Sequence, residues 1–222
     1  MSGCGADCSV VESVESMVRE LYAKSRVPPS HDFSHVERVV GLVNVICEGE
    51  KLDAKSRELA LIAALLHDVG VALRGCKEDH AAISAEYAKR VLADKLSSEE
   101  VGVVVKAILE HRWCEGRSPT SRISAVLQDA DRLDALGAIG IARVFAYAGY
   151  SGKSLYHSQD PFARERPLNG DRYALDHFHE KLFRIPLHLN TETARKLAKE
   201  RLRVMEQFLR RFREELELTL RL

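Results

Sequence analysis

Apolar residues recur along this chain at the spacing of a helix face. Val10, Val14, Met17, Val18, Leu21 and Tyr22 form one stripe, and Val39, Leu42, Val43 and Ile46 form a second; steps of three and four turn one side of a helix toward a core. A third helix is predicted from about Lys55 to Val69. A fourth covers about Asp79–Leu96, with Ala82, Ala85, Ala88 and Leu92 as small packing residues. Ser98 followed by Glu99 and Glu100 opens a fifth that ends near Trp113, since serine can take the unpaired first-turn amides and acidic residues complement the dipole there. A sixth runs from about Ile123 towards Tyr147, where Gly137 and Gly140 admit a close neighbour.

Residues 150–172, YSGKSLYHSQDPFARERPLNGDR, hold the turn-forming types and no helical period. Loops this long inside a domain are usually functional or mobile. After them come a short helix near Tyr173–Arg184, a break at Pro186, and a long amphipathic helix from Asn190 or Thr191 to about Leu216. Its Leu197, Leu202, Met205, Phe208, Leu209 and Phe212 face a core or a partner subunit, so a homodimer is an open expectation, and His177, Phe178 and His179 read as core and cap. Period-two alternation is missing, and the expected class is all-α. The expected organisation is a single domain over 1–222, with a core over about 20–150, the loop 150–172, and additional C-terminal helices over 173–222.

Composition narrows the function classes. At 222 residues, 45% hydrophobic and 30% charged, the chain reads as a globular protein with a substantial core. Lysine plus arginine equals aspartate plus glutamate at 33 each, so no global field holds a polyanion, and stable nucleic-acid binding is not expected. The first residues, MSGCGADCSV, lack a basic-then-apolar leader, and the apolar stretch at about 59–73 is too short for a bilayer. The expectation is a cytoplasmic protein that does not bind membranes. Cys4, Cys8, Cys47, Cys76 and Cys114 are odd in number and scattered, which is not a disulfide framework; Cys4 and Cys8 read as reduced thiols on a tail.

Against this background "LIAALLHDVGVA" stands out, because an apolar run stops to place His67 beside Asp68 with Gly70 just behind. A buried carboxylate needs a partner. His31, Asp32, His35 and Arg38 gather at the start of the second predicted helix, His80 at the start of the fourth, His111 near the end of the fifth, and Asp129, Asp131 and Asp134 in "LQDADRLDALG". Imidazoles and carboxylates converging from several helix ends form a metal site of the kind built in helical bundles. The mixed donor set suits Mn, Fe, Zn or Ni better than Ca or Mg.

The order "HDFSHVERV", "AALLHDVG", "DADRLDALG" resembles the HD-domain metal-dependent phosphohydrolase superfamily over roughly residues 20–150. The resemblance implies an HD-domain helical bundle with metal ligands His35, His67, Asp68 and Asp131. It puts His31 and Asp32 just outside the ligands or at the pocket mouth, with Asp32 orienting His35 or Arg38, and makes Asp129 and Asp134 hydrogen-bond partners of the site. His80 and His111 either hold a second metal or act at the phosphate, one of them as general acid, so one or two ions are expected. The tail is similar to a branch of small bacterial and archaeal HD proteins that resemble nucleotide pyrophosphohydrolases.

The implied activity is hydrolysis of a small phosphorylated substrate, a nucleotide in the first instance, at a catalytic centre of Asp68, His80 and His111. Arg38, Arg112 and Lys153 are the expected substrate-binding cations. Arg132 is a candidate salt-bridge residue, while Arg164 and Arg166 read as solvated charge. Three other readings stay open: a cyclic nucleotide or dinucleotide phosphodiesterase, an HD-type di-iron oxygenase, and a metal- or nucleotide-binding module without turnover.

Overall fold

The computed structural model describes residues 9–75, 79–112 and 118–220. The described residues are helical with no strand among them, matching the expected all-α class. They form two compact units, one of residues up to Val27 with His31–Gln128, the other of Pro28–Ser30 with Asp129–Leu222. Cys4, Cys8, Cys76 and Cys114 lie outside the described residues, and Cys47 is a buried free thiol.

The first unit contains α1 (Val10–Ala23), α2 (Phe33–Gly49), α3 (Ala54–Leu66), α4 (Val69–Arg74), α5 (His80–Leu92) and α6 (Ser98–Glu110). Its centre is α3, where Leu59, Ala60 and every residue from Ile62 to Leu66 are buried. A helix whose second half is buried nearly all round needs neighbours on every side there, and α1, α2, α5 and α6 all pack against it. Val14 and Val18 of α1, Val39, Val43 and Ile46 of α2, and Val104 and Ile108 of α6 are fully buried. Each such aliphatic side chain contributes about 1.5–3 kcal/mol relative to exposure.

The predicted boundaries shift where local chemistry overrides the apolar period. The third helix does not run through to Val69: it stops at Leu66, and α4 starts at Val69, so His67 and Asp68 form a junction between two helices. The fifth starts one residue earlier in its capping, with Ser97 as N-cap in a reciprocal box with Glu100. It ends at Glu110, and the expected end near Trp113 lies outside the described residues. The fourth ends at Leu92, short of the expected Leu96. The stretch from Ile123 to Tyr147 is two helices, α7 (Arg122–Asp134) and α8 (Gly137–Ser151).

The second break has a cause in Gly137, whose φ of +75° suits glycine, and whose Cβ, if present, would come 3.1 Å from Arg201 Cγ.

The second unit takes in the end of α7, then α8, α9 (Ala174–Glu180), a 3₁₀ segment at Leu182–His188, and α10 (Glu192–Leu220). Pro186 lies inside the 3₁₀ segment and does not break it. Phe178 is fully buried, 6.2 Å from Phe145 and 6.1 Å from Phe208 between ring centroids. The loop at 150–172 is pinned at many points. Asp160 accepts from the backbone amides of Arg164, Glu165 and Arg166, the Arg166 guanidinium grips Asp176, and Lys153 Nζ donates to the Gly170 carbonyl at 2.8 Å.

Candidate metal centre

The donors of the first unit come from the ends of its helical segments. His31 closes a 3₁₀ turn at Pro29–His31, His35 lies in the first turn of α2, His67 caps α3, His80 opens α5, and His111 caps α6. Gly70 is needed for this convergence, because a Cβ there would come 2.2 Å from the His80 carbonyl oxygen. Only a residue without a side chain lets α5 bring His80 this close to α4.

All five imidazoles surround the carboxylate of Asp68. His31 Nδ1 lies 3.0 Å from Oδ2, with His35 Nε2 at 3.6 Å and His67 Nε2 at 3.7 Å from the same oxygen. His80 Nε2 and His111 Nε2 each lie 3.6 Å from Oδ1. The carboxylate therefore has two faces: ligand atoms of His31, His35 and Asp68 lie within 4.8 Å of one another, and so do those of Asp68, His80 and His111.

Backbone carbonyls set the ring tautomers. His67 Nδ1 lies 2.7 Å from the Ala64 carbonyl and His111 Nδ1 lies 2.6 Å from the Ile108 carbonyl. A carbonyl only accepts, so each Nδ1 carries its hydrogen, and in the neutral ring Nε2 presents a lone pair to the centre. Burial pushes the Asp68 carboxyl up, but the charge of His67 and hydrogen bonds from His111, His31 and His35 outweigh it and hold the group well below the usual range. Burial pushes His80 down, against the pull of Asp68. A carboxylate ringed by imidazoles, with the Nε2 atoms of His67 and His111 turned toward it, is a donor set that a divalent cation matches. The nitrogen and oxygen mixture favours a transition metal.

The remaining expected residues are distributed as follows. Asp131 lies on α7 in the second unit, partly buried. Asp32 does act on His35, through the backbone: it is the N-cap of α2 and accepts from the His35 amide at 3.2 Å and the Ser34 hydroxyl at 2.6 Å. Arg38 Nη1 donates to Ser34 Oγ at 3.0 Å. Arg112 is half-exposed, 3.1 Å from Asp79. Lys153 belongs to the second unit and its ammonium is held on Gly170.

Asp129 and Asp134 have hydrogen-bond partners within the second unit. Asp129 accepts from the amides of Asn190 and Thr191 at the start of α10, and Asp134 pairs with Arg143 at 2.8 Å. Arg132 donates to the His188 carbonyl at 2.6 Å. His31, expected just outside the ligands or at the pocket mouth, is partly exposed and contacts the Asp68 carboxylate; it stands four residues before His35, after two prolines.

The sequence profile of the HD domain matches residues 32–136. Over 189 residues the chain is 33% identical to YpgQ of Bacillus subtilis (strain 168), covering 84% of each protein. The chain belongs to the HD-domain phosphohydrolase superfamily. Its fold is that of HD-superfamily hydrolases. The crystal structure of Bacillus subtilis YpgQ in complex with ADP aligns with a TM-score of 0.71 at 32% identity, over 92% of this chain and 94% of that one. An HD-superfamily hydrolase from Bacillus thuringiensis aligns with a TM-score of 0.69 at 32% identity, over 93% and 96%.

The HD-domain match spans His35, His67, Asp68, His80, His111 and Asp131, and begins one residue after His31. No helix among the described residues is long and apolar enough to cross a membrane.

Proposed function

We propose that this HD-domain protein is a divalent-metal-dependent phosphohydrolase acting on nucleotides, in the manner of a nucleotide pyrophosphohydrolase. The observation that carries the reading is the ring of five imidazoles around the buried Asp68 carboxylate. The ADP bound to Bacillus subtilis YpgQ supports a nucleotide as the ligand class. On this reading His35, His67, Asp68 and Asp131 hold one ion, and Asp68 is shared with His80 and His111 for a second, with His31 beside the first. A divalent transition metal bound there supplies Lewis acidity toward a phosphoryl oxygen and a water acidic enough to ionise near neutral pH.

The chain's own groups do the rest. Asp68 stays ionised, and the Nδ1–H contacts of His67 and His111 keep their rings from turning away. Arg38 and Arg112 neutralise charge that moves onto the phosphate oxygens. If His80 or His111 does not hold an ion, it is suited to give a proton to the leaving oxygen.

The test is a screen of metals against substrates with identification of products. Nucleoside triphosphates, deoxy forms included, are expected to be cleaved faster than cyclic dinucleotides, with release of pyrophosphate and more turnover on Mn²⁺ than on Ca²⁺. Cleavage of cyclic dinucleotides alone, or iron-dependent oxygen consumption without phosphate release, would overturn the reading.

A further inference from the structure

Asp68 occupies the N-cap of α4, with φ −110° and ψ 12°, yet its side chain makes no capping hydrogen bond. An aspartate at this position ordinarily accepts from the amides two and three residues on. Here those amides have other acceptors. The Gly70 amide donates to the Ser84 hydroxyl at 2.9 Å, and the Val71 amide donates to the backbone carbonyl of Asp68 at 2.9 Å. Ser84 is fully buried on α5, the helix whose first residue is His80. One helix thus brings an imidazole to Oδ1 of Asp68 and a hydroxyl to the amide that would compete for the same carboxylate.

We propose that Ser84 is a positioning residue for the metal centre: it caps α4 in place of Asp68 and leaves both Asp68 oxygens to the imidazoles. The inference rests on the metal-dependent reading above. With the hydroxyl gone, the buried Gly70 N–H needs a new acceptor, since an unsatisfied buried donor is costly. The Asp68 carboxylate, two residues back, is the standard one. A turn about its χ1 satisfies the amide and takes an oxygen away from the histidines. His31, 3.0 Å from Oδ2, and Tyr22, whose hydroxyl donates to the Asp68 carbonyl at 2.9 Å, oppose that turn by holding the far oxygen and the backbone.

The experiment is an Mn²⁺ titration of metal-stripped protein, read by the loss of the free-ion EPR signal, for wild type, Ser84→Ala, Ser84→Thr and Ser84→Cys. Ser84→Ala is expected to bind Mn²⁺ about 10- to 100-fold more weakly, the usual effect of removing a group that supports ligands. Its metal-free melting temperature should stay within about 4 °C of wild type, because Asp68 takes over the cap. Ser84→Thr keeps the hydroxyl and should restore binding. Ser84→Cys keeps the volume with a poor acceptor and should stay weak, which also covers the case of an alanine variant that does not fold.

Binding within about twofold of wild type in both Ser84→Ala and Ser84→Cys overturns the proposal. So does a loss of affinity that follows the melting temperature through all three variants, since that marks a structural role only. Wild type that binds no Mn²⁺ contradicts the metal reading itself, so the two failures are distinct.

Discussion

In the first unit the buried carboxylate of Asp68 has imidazoles as its ion-pair partners among the described residues. In the second unit the buried carboxylates have fixed donors. Asp176 takes both guanidinium nitrogens of Arg166 and the Asn169 amide, Asp134 takes Arg143, and Asp129 takes the amides and side chains of Asn190 and Thr191. Burial is nearly equal, at 3% exposed for Asp68 and 2% for Asp176. Partner chemistry separates the two cases. A guanidinium is always charged and a backbone amide always donates, so those carboxylates are complete as part of the fold. Imidazoles have a lone pair to offer, and a ring of them around an anion is complete with a cation.

The contrast is broken most strongly by removing one carboxylate from each unit. Asp68→Ala is expected to abolish metal retention and hydrolysis while circular dichroism shows helix content near wild type. Asp176→Ala should do the reverse. It strands the partly buried Arg166 and costs about 3–5 kcal/mol of stability, seen as a lowered melting temperature, with Mn²⁺ binding to the folded protein kept.

A smaller effect comes from a histidine outside the ring. Burial pushes His177 down from its ordinary value to about 4, so the folded state keeps it neutral where the unfolded chain, near 6.5, takes up a proton. Stability from the neutral ring is therefore whole above about 6.5 and is lost as pH falls through about 4. His177→Phe should flatten the slope of melting temperature against pH in that window; an unchanged slope would mean that other groups set it.

Much of the site was legible because its donors sit at helix ends. His67–Asp68 interrupts an apolar run, and His35, His80 and His111 fall where predicted helices start or stop. The 3₁₀ turn that carries His31, Pro29–His31, was not legible, since it has no period to read. The partners of Asp129 and Asp134 within the second unit were hidden as well. All three aspartates of "DADRLD" share one helix, and tertiary partners such as Asn190 and Arg143 have no signature in the local sequence.

The breaks after Leu66 and Asp134 were lost for a related reason, because the apolar pattern continues across both. Ser84 carried no signal at all: a serine inside a run of alanines reads as a small packing residue until its hydroxyl is seen on the Gly70 amide.

On the proposed reading the two faces of Asp68 would be two metal positions sharing one carboxylate. Metal content per chain, measured on stripped protein titrated with Mn²⁺ or Fe²⁺, tests it most directly. Occupancy should rise above one, the second ion binding more weakly because it borrows its bridge from the first, and His80→Ala combined with His111→Ala should return it to about one without loss of the first ion. Wild type that stops at one ion under saturating metal would contradict the claim, and would leave His80 and His111 as groups that touch phosphate.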